Sequence, residues 1–103
     1  MQEHHDGIVI TNGMVLYKRA FSKSKYIPYN CYRNIYKASY LHWGRTITFI
    51  VLAQRSLSQF ELTHINQVPL SEKVIKIKYS EAVLKHLIDS GDKYQKKHLK
   101  SML

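Results

Sequence analysis

The chain reads as an α+β protein, an antiparallel sheet or partly open barrel of six to seven short strands closed by one C-terminal amphipathic helix. Three observations predict this. Apolar and polar residues alternate over much of residues 8 to 79, Asn12-Gly13 stands between two such runs, and from Ser80 to Gly91 the period lengthens to that of a helix.

The first two strands are Ile8-Val9-Ile10-Thr11 and Met14-Val15-Leu16-Tyr17, because Asn-Gly supplies the two positive φ angles of a two-residue hairpin turn. A polar, basic connection over residues 18 to 25 leads to a short extended piece at Tyr26-Ile27, which Pro28 restrains to extended geometry. Residues 35 to 41 and 45 to 54 read as two more strands around Trp43-Gly44, with Ile47, Phe49 and Val51 on one face of the second. For residues 30 to 40 strand and helix both stay open, since Tyr29, Tyr32, Tyr36 and Tyr40 also recur at helical spacing. Residues 57 to 65 read as a strand in which Phe60, Leu62 and His64 alternate with Glu61 and Thr63. Residues 73 to 79 form another, with Ile75, Ile77 and Tyr79 facing one way and Lys76 and Lys78 the other. Ser80 is the N-cap of the helix, Val83, Leu84, Leu87 and Ile88 its apolar stripe, and Gly91 its C′ residue. The expected division is one domain over 1–103: a flexible terminus at 1–6, mostly β structure at 7–79, the helix at 80–90, and a basic tail or short second helix at 92–103.

Composition narrows the function. The formal charge is +9, and residues 7 to 60 contain eight Lys and Arg but neither Asp nor Glu. Such a stretch attracts anions, so the expected partner is an anionic macromolecule: protein, nucleic acid or an anionic lipid surface. The polar amino terminus lacks the order of a secretory signal, and the apolar run at 47–53 is far shorter than the roughly 20 residues that span a bilayer. A single cysteine, Cys31, fits a reducing compartment, and cytoplasm is the expected location. An exposed sheet edge leaves a homo-oligomer open.

The opening hairpin at residues 8 to 17, Lys25-Tyr26-Ile27-Pro28-Tyr29 before a further strand, and Ser80-Glu81-Ala82-Val83-Leu84-Lys85-His86-Leu87 as closing helix resemble the pleckstrin-homology-like superfold, in particular small bacterial PH-like and GRAM-like domains. The likeness covers residues 7 to 90 and lies in pattern, with no diagnostic motif. It implies a ligand- or protein-binding scaffold with no chemistry of its own, and many bacterial members bind proteins rather than phosphoinositides.

Candidate anion-binding residues are Lys18, Arg19, Lys23 and Lys25, clustered with Ser22 and Ser24, together with Arg33, Lys37, Lys76 and Lys78. Candidate stacking residues are Tyr29, Tyr32, Tyr36, Tyr40 and Trp43, since rings beside cations suit single-stranded nucleic acid. Packing against the sheet is the competing role for the tyrosines. Lys93, Lys96, Lys97 and Lys100 form a further basic group that either clamps an anionic surface or is simply solvated. Six histidines and Cys31 show no metal-ligand spacing, so no metal, cofactor or catalytic residue is expected. Two functions follow: a non-enzymatic PH-like module docking a protein or phosphate-bearing headgroup, or a nucleic-acid-binding protein or regulator of viral or mobile-element origin.

Overall fold

Two antiparallel sheets and three α-helices make up the computed structural model, which describes residues 2–5, 7–11, 13–18 and 24–103. The first sheet has the order β1 (Gln2–His5), β2 (Ile8–Thr11), β3 (Met14–Tyr17) and β4 (Lys25–Pro28). The second comprises β5 (Asn34–His42), β6 (Arg45–Ala53) and β7 (Val74–Lys78). The amino terminus, expected to be flexible, thus supplies a strand that pairs with β2. Among the described residues no ladder joins the sheets, which stand as two open sheets rather than a continuous barrel.

The first hairpin follows its turn chemistry: Thr11 pairs with Met14, and Gly13 adopts φ +79°. Asn12 lies outside the described residues. β4 pairs with β3 from Lys25 opposite Tyr17 to Pro28 opposite Met14. Proline, which cannot donate to a ladder, stands at the end of this edge strand.

The open alternative at residues 30 to 40 resolves as a 3₁₀ turn at Tyr29–Cys31 followed, from Asn34, by the strand β5. Its pairing with β6 runs unbroken from Asn34 opposite Ala53 to His42 opposite Arg45, leaving Trp43-Gly44 as a two-residue turn. β7 covers only the inner half of β6, from Phe49 to Ala53, and Tyr79 adds one N–H bond to the Thr48 carbonyl (2.9 Å). The tip of the β5–β6 hairpin therefore extends past its neighbour.

The second sheet is a central layer with a core on each face. On one side Ile50, Leu52, Ile75 and Ile77 meet Ile8, Ile10, Val15 and Ile27 of the first sheet. Phe49, Val51, Ala53 and Val74 face the other way, onto Leu57, Ile65 and Val68. Double-sided burial explains why β6 reads as a continuous apolar run.

Residues 57 to 65, expected as a strand, instead contain the short helix α1 (Gln59–Thr63) followed by a 3₁₀ turn at Ile65–Gln67. The cause is a capping box: the Glu61 N–H donates to Ser58 Oγ (3.1 Å), and the Ser58 N–H to the Glu61 carboxylate (3.0 Å). Arg55 bonds the same carboxylate at 2.7 Å, and these donors, Arg55 foremost, hold its pKa down at about 2. Phe60 and His64, read as alternating strand positions, stack on each other one helical turn apart, 4.3 Å between ring centres.

α2 (Glu81–Ser90) begins as expected, with Ser80 Oγ accepting from the Val83 N–H (3.1 Å). It buries Leu84, Leu87 and Ile88 in the first core, each burial contributing roughly 1.5–3 kcal/mol. Gly91 ends it for a different reason than expected. Its φ is −85°, so no left-handed cap is present. A Cβ there would stand 3.0 Å from Gln95 Cβ, and glycine is what lets α3 (Lys93–Lys100) fold back so closely. The tail is thus a second helix. No helix among the described residues is long and apolar enough to cross a membrane.

Candidate anion-binding surfaces

The predicted basic and aromatic residues fall into three groups once placed. The first has been drawn into the fold. Tyr29 and Tyr32 are core residues: the Tyr29 hydroxyl donates to the Leu87 carbonyl (3.0 Å) and that of Tyr32 to the Glu72 carbonyl (2.6 Å). Burial raises both phenol pKa values, that of Tyr32 to about 12. Neither ring can stack on a base. Their own carbonyls are gathered by the fully buried Gln95, whose side-chain amide donates to Tyr29 O (2.7 Å) and Tyr32 O (2.9 Å). Its amide oxygen accepts from the Asp92 N–H (3.1 Å), completing the α3 cap.

Several cations are engaged likewise. Lys25 Nζ lies 2.9 Å from the Glu72 carboxylate. Arg33 bonds the carboxylate of Asp92 and sits 4.1 Å above the Tyr94 ring. The Gln95 N–H and then Arg33 hold the Asp92 carboxyl below its ordinary range. Lys76 is tied to the Ile65 carbonyl (3.2 Å), and partial burial lowers its pKa. It is therefore a poor anion ligand: binding phosphate would mean giving up that bond. Tyr36 is half-buried, its hydroxyl accepting from the Leu57 N–H (3.1 Å), and Tyr40 stacks on Phe49 at 6.0 Å.

The second group falls largely outside view. Arg19, Ser22 and Lys23 of the predicted basic loop lie outside the described residues. Lys18 is exposed beside the turn at Gly7, whose carbonyl accepts its backbone N–H (3.1 Å).

The third group stays on the surface, in two places. One is α3, whose Lys93, Lys96, Lys97 and Lys100 are all exposed at i, i+3, i+4 and i+7 while Gln95 and Leu99 anchor the opposite face. None of the four forms a salt bridge with a carboxylate among the described residues. A shallow concavity of about 640 Å³ lies along them, lined only by α3, its cap and Gly91. It is a trough between lysine stems, suited to an extended anionic surface more than to a small molecule.

The other place is the outer β5–β6 hairpin. Trp43 is 90% exposed and Leu41 76%, with His42 edge-on to the indole at 6.1 Å. Trp43 adopts φ +51°, a left-handed conformation that bulky residues seldom take. Arg45 and Lys78 border a second shallow concavity, of about 340 Å³, beside β6, and Lys37 lies behind them with its ammonium 4.7 Å from the Tyr79 ring. The sequence reading singled out Trp43, Lys37 and Lys78 but missed Leu41 and Arg45. The short Trp43-Gly44 turn was the available sign that their side chains would be carried outward together.

No group of potential metal ligands occurs among the described residues, and Cys31 is a free, exposed thiol. Comparison of the chain with protein-family models, with curated proteins and with solved structures gave no match.

Proposed function

We propose that the protein is a non-enzymatic, strongly basic interaction module on a PH-like scaffold, holding an acidic protein surface against the lysine face of α3. One observation carries this reading. Four lysines share one exposed helical face with no carboxylate partner among the described residues, on a helix fixed from behind by Gln95 and Leu99. Like charges at this spacing each weaken a helix by a few tenths of a kcal/mol. The anchoring residues offset that repulsion, and an anionic partner relieves it. Two antiparallel sheets followed by an amphipathic helix support the PH-like scaffold. A cytoplasmic, reducing setting belongs to the same reading through the single Cys31.

The burial of Tyr29 and Tyr32 weighs against the nucleic-acid alternative, whose stacking series loses two rings. The test is binding of a labelled polyglutamate peptide and a labelled single-stranded oligonucleotide at 50 and 200 mM salt, for the wild type and Lys96→Glu plus Lys97→Glu. The expected result is saturable, salt-sensitive peptide binding that falls by roughly tenfold or more in the variant. Unchanged affinity in the variant would remove α3 from the account. Tighter oligonucleotide binding, losing about 50-fold between the two salts as expected for four phosphate contacts, would make nucleic acid the partner.

A further inference from the structure

We infer that the tip of the β5–β6 hairpin is a membrane-docking prong, which seats Trp43 and Leu41 in the interface of an anionic bilayer with Arg45 at headgroup level. This goes beyond the α3 reading and is independent of it. Arg33, whose partners Asp92 and Tyr94 belong to the cap and first turn of α3, stands just before β5, while Trp43 follows the strand's far end. Nine residues of strand separate the two by about 30 Å. One flat surface does not readily meet both ends.

The order of chemistry along the hairpin selects the occupant. Outermost is an indole, the ring that favours the boundary between headgroups and acyl chains. Leu41, an aliphatic side chain with no use in base stacking, is exposed on the second rung from the turn, opposite Thr46. Arg45, paired across the ladder with His42, occupies the rung between Leu41 and the turn, on the opposite face of the hairpin from Leu41. Farther back are Lys78, opposite Phe49, and Lys37, opposite Ile50. An indole at the tip, an exposed leucine two rungs from it and an arginine long enough to turn its guanidinium back towards the headgroups suit an anionic leaflet. Each basic residue near the surface of such a leaflet, Lys78 and Lys37 included, strengthens attraction. Neither β5 nor β6 contains Asp or Glu to oppose it.

The backbone supports a role for this ring beyond folding. Trp43 takes a left-handed turn position and is almost wholly exposed, so it gains little burial there. Strained residues retained without packing are the pattern expected of a working surface.

Trp43 is the chain's one tryptophan, so its emission reports the tip alone. The full chain is titrated at low salt with phosphatidylcholine vesicles containing 30 mol % phosphatidylserine, and with pure phosphatidylcholine vesicles. The expected result is a blue shift with the anionic vesicles, quenching by brominated acyl chains, and a much weaker response to the neutral ones. In co-sedimentation, Trp43→Asn and Leu41→Ser should each reduce partitioning by roughly tenfold. Asparagine suits the turn, and far-UV circular dichroism verifies that both variants fold. Lys96→Glu plus Lys97→Glu should keep the blue shift at saturating lipid, so failure of the α3 reading leaves this one standing. Absence of a blue shift with anionic vesicles overturns the inference. So does undiminished partitioning of folded Trp43→Asn, or a shift caused by an oligonucleotide or acidic peptide and not by vesicles.

Discussion

Residues 25 to 36 and residues 37 to 46 each contain two cations among aromatic rings and no carboxylate, yet the fold uses them in opposite ways. In the first segment Lys25, Tyr29, Tyr32 and Arg33 are engaged by Glu72, Leu87, Asp92 and Gln95, all from the last third of the chain. In the second, Leu41, Trp43 and Arg45 project beyond the end of β7, where no partner from the last third of the chain reaches them among the described residues. Composition therefore marks a segment as able to bind anions and rings. Long-range partners decide whether that capacity is consumed by folding or left for something else.

The sharpest way to break the comparison is to remove a ring from the engaged segment. Tyr32→Ala should destabilise the protein by about 3 to 5 kcal/mol in chemical denaturation, by leaving a cavity and taking from the Glu72 carbonyl one of the hydrogen bonds it accepts, another coming from Gln54. Tyr32→Phe, which removes only the hydroxyl, should cost about 1 kcal/mol. The same residue sets an alkaline limit. Its phenol is raised from 10.0 to about 12 when folded, so the stability tied to the neutral phenol is complete below pH 10. It is lost as pH rises towards 12, because the unfolded chain releases that proton first. Absorbance at 295 nm should show Tyr29 and Tyr32 ionising after ordinary phenols, and their titration at pH 10 would contradict the burial.

Gln95→Leu tests how the engaged segment is held. It keeps the volume but strips the donors from Tyr29 O and Tyr32 O and removes the side-chain half of the α3 capping box, leaving the Asp92 carboxylate on the residue 95 N–H, and should cost about 2 to 3 kcal/mol. Amide exchange in α3 should accelerate along with that of the 3₁₀ turn at Tyr29–Cys31. Acceleration in α3 alone would mean that the helix and the tyrosine segment are not coupled through this side chain.

Local signals in the sequence were sufficient for most elements. Asn12-Gly13 announced the first hairpin, the alternation of residues 45 to 54 and 73 to 79 announced β6 and β7, and Ser80 with the 83-84-87-88 stripe announced α2. The miss at α1 was also local: Ser58-Gln59-Phe60-Glu61 is a capping-box pattern, and apparent alternation of Phe60, Leu62 and His64 outweighed it. Other features could not be read locally. Gly91 is required by the approach of Gln95, and the roles of Tyr29, Tyr32, Lys25 and Arg33 depend on residues 40 to 66 positions away. Of the surface candidates, the α3 lysines were recognisable from their spacing alone, because exposure on a helix follows its period. The prong required knowing where β7 stops.

The smallest expected effect differs in sign from the others and bears most directly on the open segment. Both hairpins turn through a glycine of positive φ, Gly13 in the first and Gly44 in the second, where Trp43 precedes it; in the sequence the residue before Gly13 is Asn12. An L-residue in the left-handed region costs about 1 kcal/mol, and asparagine tolerates that region far better than a bulky ring does. Because Trp43 is 90% exposed, replacing it sacrifices little burial. Trp43→Asn should therefore raise the unfolding free energy by about 0.5 to 1 kcal/mol, while the engaged segment yields only losses. If stability falls instead, the indole contributes to folding through its contact with His42. A gain in stability accompanied by loss of vesicle partitioning would separate the two roles in one variant. Only a residue retained for an external contact responds in that way, since a ring that served the fold would lower both together.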